Sequence, residues 1–250
     1  MSGHSKWSTI KRKKGALDAK RSKIFSRISK EITIAVKEGG GSDPEYNPRL
    51  RVAMNNAKGA NMPKDNIERA IKKGGSDGDS LQEVTFEGYA SNGVAVFVEC
   101  LTDNNNRTVS NVRAAFNKYN GSLGTNGSLS FIFDRKGVFT LTKEKINIDM
   151  EELELELIDG GAEDIEIEEE IITITCALED FGSLNKKFES LKLEPENAEL
   201  QRIPNNTKEL SVDDARKVLK LIEALEDDDD VQNVFHNLEM TDELAEALES

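Results

Sequence analysis

Ten lysines and arginines fall within the first thirty residues, against a single acid, Asp18. Lys6 precedes the consecutive cluster Lys11, Arg12, Lys13 and Lys14, and Lys20, Arg21 and Lys23 follow it. The chemistry of such a run is phosphate neutralisation. Each cation releases condensed counterions, so a chain making six to ten such contacts loses about 10³- to 10⁵-fold in affinity between 50 and 200 mM salt. Trp7 stands among these cations and is the only tryptophan in the chain. An indole in that setting has two uses, stacking on an unpaired base or ribose or pinning the arm to the domain behind it, and the sequence leaves both open. Lys6, Trp7, Lys11, Arg12, Lys13, Lys14, Lys20, Arg21 and Lys23 form the predicted polyanion-binding set.

Charge is sorted along the whole chain. Residues 1–75 carry 18 Lys/Arg and 7 Asp/Glu, while residues 76–250 carry 15 and 40. The net charge of −14 thus hides a basic end, +11, ahead of an acidic body, −25. Such a division predicts a nucleic-acid partner for one end and a solvated, nucleic-acid-repelling surface for the rest. The acid runs EDIEIEEE at 163–170 and EDDDD at 226–230 are expected to be solvated edges and turns.

Other constellations resolve against catalysis. Asp103, Asn105 and Arg107 within TDNNNRT mimic the start of a calcium loop, but an arginine at the fifth position and no glycine at the sixth reject it; a capped turn carrying a functional Arg107 stays open. Gly121, Gly124 and Gly127 are spaced GxxGxxG and lie between a helix and an expected strand, Leu129 to Phe133. A phosphate-binding glycine loop needs the reverse order, strand, glycines, helix N-terminus. These glycines are expected to permit tight turns, and no cofactor is predicted. Cys100 and Cys176 end strand-like apolar runs, which fits buried reduced thiols and no metal site. His4 and His236, the only histidines, belong to no recognisable nucleophile or zinc motif. No catalytic residue is predicted. No apolar run is long enough to span a bilayer, and the cations of the N-terminus have no apolar stretch behind them, so a cytoplasmic protein without a membrane partner is expected. No exposed apolar stripe or heptad seam appears, and a monomer is expected.

The elements that must position these residues follow from period and capping. A helix from Asp18 places Ile24, Phe25, Ile28, Ile32, Ala35 and Val36 on one face and ends at Gly39 and Gly40. A second starts at Asn47 and Pro48, a third at Pro63, closing with Lys72, Lys73 and Gly74. After GGSDGDS at 74–80 the period changes to two. Val84 to Tyr89 and Val94 to Leu101 form a hairpin about SNG, and a helix runs from TDNNNRT to about Tyr119. Residues 137–203 then read as βαββαβ, the ferredoxin-like pattern, inserted into a middle domain that a helix at 211–226 and a strand at 231–238 complete. The predicted fold class is α+β: a three-helix domain at 1–80, an α+β domain from 81–136 plus 204–250, and an acidic ferredoxin-like domain at 137–203 inserted into it.

Several segments together resemble one family: GHSKW at 3–7, IKRKKGALDAKRSKIFSRISKEI at 10–32, NPRLR at 47–51, NMPKDNIERAIKKG at 61–74, LTDNNNRT at 101–108, the GxxGxxGSL segment at 121–129 and GAEDIE at 161–166. The chain is similar to the YebC/PmpR family, which includes the mitochondrial translational activator of cytochrome oxidase subunit one. Where that family commonly has a basic residue in TDNRNRT, this chain has Asn105, leaving Arg107 as the cation of the loop. The resemblance implies three domains, a cytoplasmic location and no enzymatic activity. It further implies one of two functions: a DNA-binding transcriptional regulator, or a translation factor that engages large-subunit ribosomal RNA near the peptidyl-transferase centre and helps ribosomes past proline runs. The absence of a recognition helix favours the second. On that reading His4, Arg107, Gly121, Gly124 and Gly127 are secondary RNA contacts.

Overall fold

The computed structural model describes residues 17–76, 80–168 and 170–249. Helix α1 spans Leu17–Glu38, α2 Pro48–Gly59 and α3 Lys64–Gly74. The Asn47 side chain accepts the Leu50 N–H at 2.9 Å, as an N-cap does, and donates to the carbonyls of Ala35 and Gly41 at 2.7 and 2.8 Å. Its amide, wholly buried, thereby fixes both the start of α2 and the turn that leads to it.

Two antiparallel hairpins seed the sheets. β1 (Gln82–Tyr89) pairs with β2 (Ala95–Thr102) in register from Gln82↔Thr102 to Tyr89↔Ala95. Helix α4 (Asn105–Lys118) follows, capped by the Asn104 side chain, and returns the chain to a short strand β3 (Ser122–Leu123). After an excursion the chain comes back as α7 (Val212–Glu226) and β8 (Val231–His236), giving the sheet order β3-β1-β2-β8. Both helices cover one face, where Val96, Val98, Cys100, Val112, Phe116, Leu219, Ile222 and Val234 form the core. On the other face Ala95, Phe97, Leu129, Phe133 and Phe235 form a smaller cluster. A last helix, α8 (Asp242–Glu249), was not foreseen in the sequence.

The excursion is β4 (Phe133–Thr142), α5 (Met150–Asp159), β5 (Ala162–Ile167), β6 (Ile171–Ala177), α6 (Phe181–Ser190) and β7 (Asn197–Pro204). Its order β5-β6-β4-β7 is that of a split βαβ sheet. Phe139 stacks on Phe181 with centroids 4.9 Å apart and tilts against Phe188 at 5.1 Å. The acid run at 163–170 supplies β5, an edge strand, where carboxylates oppose edge-to-edge pairing.

The protein divides into two compact units. One takes in α1 up to Lys30 with residues 80–134 and 203–249; the other takes in residues 31–76 with 135–202, except Glu169. In the second unit α2 docks on the sheet through Asn56, whose side-chain oxygen accepts the Ala198 N–H at 2.8 Å and whose amide donates to the Ala198 carbonyl at 2.9 Å. An asparagine thus imitates one more strand residue at the β7 edge.

The expected strand Leu129 to Phe133 is corrected. Residues 126–132 are turns, and the strand begins at Phe133. The cause lies in β1: the Glu87 carboxylate, 4% exposed, accepts the N–H groups of Gly127 at 2.7 Å and Leu129 at 2.6 Å. Those donors cannot also join a ladder, so the chain curls around the carboxylate.

Candidate nucleic-acid interface

Three cations of α1 lie on one helix face at i, i+4 and i+7: Lys23, Arg27 and Lys30. They meet the C-terminus of α7 and the turn behind it, where backbone carbonyls lack intrahelical partners and the helix dipole is negative. Arg27 donates to the Glu226 carbonyl at 2.8 Å. Lys23 pairs with the Asp227 carboxylate. Lys30, more enclosed than Lys23, donates to the carbonyls of Leu101 at 2.9 Å and Asp229 at 2.7 Å and to the Asp230 carboxylate at 3.0 Å.

Asp230 is the hub of this contact. Arg107 reaches it through Nε at 3.1 Å and Nη2 at 2.7 Å, Thr108 donates at 2.9 Å and Thr102 at 3.2 Å. The second anchor of Arg107 is Asp103, at 2.8 Å. Burial pushes the Asp230 carboxyl up, but the hydrogen bonds from Arg107, Lys30 and Thr108 outweigh it and hold the group below the usual carboxylate range. The same bonds to Asp230 and Asp103 raise Arg107. Cys100 is buried near this turn; desolvation, then Asp228 and Asp230, push its thiol up to about 12, so it stays protonated. The reading of EDDDD as a solvated edge is therefore corrected. Asp227 keeps 71% of its side-chain exposure, but Asp230 keeps 6%. It is the acid adjoining β8, so the strand that enters the core carries it inward.

The predicted site residues separate accordingly. His4, Lys6, Trp7, Lys11, Arg12, Lys13 and Lys14 lie outside the described residues. Lys20 falls in the first turn of α1, where only the backbone is described. Arg21 is exposed, its guanidinium 5.5 Å from the Phe25 ring centroid. Lys23 is already engaged by Asp227. Arg107 is the clamp on Asp230, and the TDNNNRT segment is a helix cap joined to that clamp. The three glycines are spent inside the fold: the Gly121 N–H bonds the Phe116 carbonyl at 2.8 Å, the Gly124 N–H the Glu87 carbonyl at 2.7 Å and the Gly127 N–H the Glu87 carboxylate at 2.7 Å. Gly127 has φ +87°, and a Cβ at Gly121 would meet the Tyr89 carbonyl at 2.8 Å, so both need glycine. Sequence reasoning missed Glu87 and Asp230. The available signals were a carboxylate between Phe86 and Gly88 in a strand-like run, and an acid adjoining an apolar strand.

In the second unit a cleft of about 510 Å³ between α2 and α6 is lined by Arg51, Lys58 and Lys192 and by Glu45, Glu189 and Glu194. Its balanced charge offers no preference for a polyanion. Among the described residues no group of three His, Cys, Asp or Glu is placed to hold a metal, and no helix is long and apolar enough to cross a membrane.

Family models for the TACO1/YebC N-terminal domain and for the TACO1/YebC second and third domains match residues 5–77 and 81–238. The chain belongs to the TACO1/YebC family. It is 57% identical over 241 residues to a protein of Amoebophilus asiaticus, covering 95% of this chain and 98% of that one, and 51% identical over 245 residues to one of Geotalea uraniireducens, covering 97% and 98%. Both relatives carry the name "Probable transcriptional regulatory protein". The crystal structure of a conserved hypothetical protein from Aquifex aeolicus is similar with a TM-score of 0.80 at 44% identity, over 90% of this chain and 92% of that one. The α+β architecture read from the sequence is therefore that of a TACO1/YebC protein.

Proposed function

We propose that this TACO1/YebC protein is a non-enzymatic nucleic-acid-binding regulator acting in translation. Its basic arm engages large-subunit ribosomal RNA near the peptidyl-transferase centre and relieves stalling at proline-rich stretches. The observation that carries this reading is the segregation of charge, +11 over residues 1–75 against −25 over the remainder. A dense cationic arm with one indole suits threading into folded RNA, whose single-stranded elements are read by stacking and phosphate contact, while an acidic body stays outside the polyanion. Mechanism is positioning: the arm's Lys6, Lys11, Arg12, Lys13, Lys14, Lys20 and Arg21 neutralise phosphates, and the bound protein alters the geometry of a catalytic centre built from RNA. The protein acts in the cytoplasm as a monomer.

The test is co-sedimentation with purified large ribosomal subunits at physiological salt in the presence of excess random duplex DNA. Saturable, near-stoichiometric association that survives the competitor is expected, as is its loss when Lys11, Arg12, Lys13 and Lys14 are replaced by glutamate. Normal association of that variant overturns the assignment. A second reading, a DNA-binding transcriptional regulator, is favoured by the names of the relatives. It predicts a defined operator bound about 10³-fold or more above random duplex at equal salt, and transfer of the protein from the ribosome to the competitor DNA.

A further inference from the structure

Residues 146–185 carry 14 Asp/Glu and no Lys or Arg, and helix α5 stands near the head of that stretch with the sequence MEELELELID. Leu153 and Leu157 fill the core of the second sheet at 1% and 0% exposure. Leu155 is two residues from each, about 200° round the helix axis, so it points away from that core and is 69% exposed. Ile158 follows at i+3, 59% exposed. The two are neighbours on the helix surface, and neither belongs to the core cluster of this sheet. Helix α5 thus carries two apolar stripes, of which folding uses one.

The second stripe is framed by carboxylates. Three and four positions from Leu155 stand Glu151, Glu152, Ile158 and Asp159, and Glu154 lies four before Ile158. Lys187 of α6 reaches this helix on one flank, 2.8 Å from Glu156 and 2.7 Å from Asp159. Among the described residues no cation is bonded to Glu151, Glu152 or Glu154. Asp159 occupies the last turn of α5, which holds no basic residue of its own and where negative charge opposes the helix dipole. A single exposed apolar residue is ordinary; two in contact, ringed by unneutralised carboxylates, state the chemistry of what covers them. A second copy docking by the same face would set carboxylate against carboxylate, and a polyanion or an anionic membrane would be repelled. The complement is a helix that carries lysine or arginine beside apolar anchors at i and i+3 or i+4.

We propose that the outer face of α5 is a docking surface for a cationic amphipathic helix of a partner protein. Its apolar anchors cover Leu155 and Ile158, and its cations pair with Glu151, Glu152 and Glu154. The contact is separate from the nucleic-acid reading and gives the acidic body a protein ligand of its own.

Calorimetric titration of the full chain with a synthetic 14-residue peptide of leucine and lysine, apolar at i, i+3, i+4 and i+7, tests it. Saturable one-to-one binding is expected, with amide shifts concentrated at residues 151–159. Leu155→Ser with Ile158→Ser should weaken binding about tenfold or more, the scale of one apolar side chain left uncovered, and Leu155→Met with Ile158→Leu should retain it. Because both side chains are exposed, the thermal midpoint of the serine variant should equal that of the parent. Glu151→Gln with Glu154→Gln should weaken binding and reduce its dependence on salt. Unchanged affinity of the serine variant, or equal affinity for a peptide whose leucines are replaced by serine, reduces the contact to charge attraction and overturns the site. Shifts spread over the other acid runs, or no saturable binding, overturn it as well. Self-association of the parent that the serine pair abolishes overturns it in favour of a second copy. Reversal of Lys11 to Lys14, which should abolish the proposed ribosomal contact, is expected to leave peptide affinity intact, so the two readings fail separately.

Discussion

Burial alone would leave Asp230 protonated at higher pH than a free aspartate, yet the carboxyl is held below the usual range because four side chains donate to it. Linkage fixes the consequence. The folded pKa lies below the unfolded value of about 3.9, so the stabilisation is fully present above about pH 5 and is lost as pH falls through the folded pKa. Asp230→Ala leaves Arg107 and the enclosed Lys30 without their shared counter-charge, and we expect it to cost about 3 kcal/mol at neutral pH. Urea denaturation at pH 7 and at pH 3 checks both parts: the difference between the variant and the parent should be large at the first and reduced at the second, which lies below the unfolded pKa. A difference independent of pH would mean that Asp230 acts through packing rather than charge. The sequence concealed this residue because five consecutive acids look alike on paper, and only the register of β8 selects which of them turns inward.

The same logic operates on the turn that follows β3. An FIF triplet at 131–133 has the composition of a strand, and its hairpin-like surroundings support that reading. What overrides propensity is Glu87, more than forty positions earlier in sequence, whose carboxylate collects the N–H groups of Gly127 and Leu129. Glu87→Ala should strand both donors in a buried site and cost about 2–3 kcal/mol. Hydrogen exchange at the Gly127 and Leu129 amides should accelerate well beyond the global change in stability; exchange that tracks global unfolding alone would show that the turn is held by its apolar residues. Elements defined by local pattern were legible: the Asn47–Pro48 helix start, the hairpin about SNG, and the βαββαβ order of the excursion. Elements defined by a distant polar partner were not, since no periodicity records a carboxylate's choice of donors. Charge density marks the basic run but not which of its cations the protein itself engages. Lys23, Arg27 and Lys30 belong to the same basic run as Arg21 and are spent on the end of α7.

At the scale of the molecule this division of the cations sets how salt controls binding. On the proposed reading seven arm cations, Lys6, Lys11, Arg12, Lys13, Lys14, Lys20 and Arg21, neutralise phosphates. The helix face that follows is neutralised internally by the α7 terminus and the acid turn. A phosphate contact appears in the slope of log K against log salt as about 0.7 for a single strand or 0.9 for a duplex, whereas a cation already paired within the protein contributes to stability and not to that slope. Lys13→Ala and Lys14→Ala should therefore each reduce the slope by about one such increment with the thermal midpoint unchanged. Arg27→Ala should lower the midpoint and leave the slope where it was. Titrations of a labelled, unstructured 12-nucleotide RNA at several salt concentrations, paired with thermal melts of each variant, separate the two classes. If Arg27→Ala lowers the slope as the arm substitutions do, nucleic acid draws that residue away from the Glu226 carbonyl on binding. The acid turn would then be a competitor that the polyanion displaces rather than a fixed seat for α1.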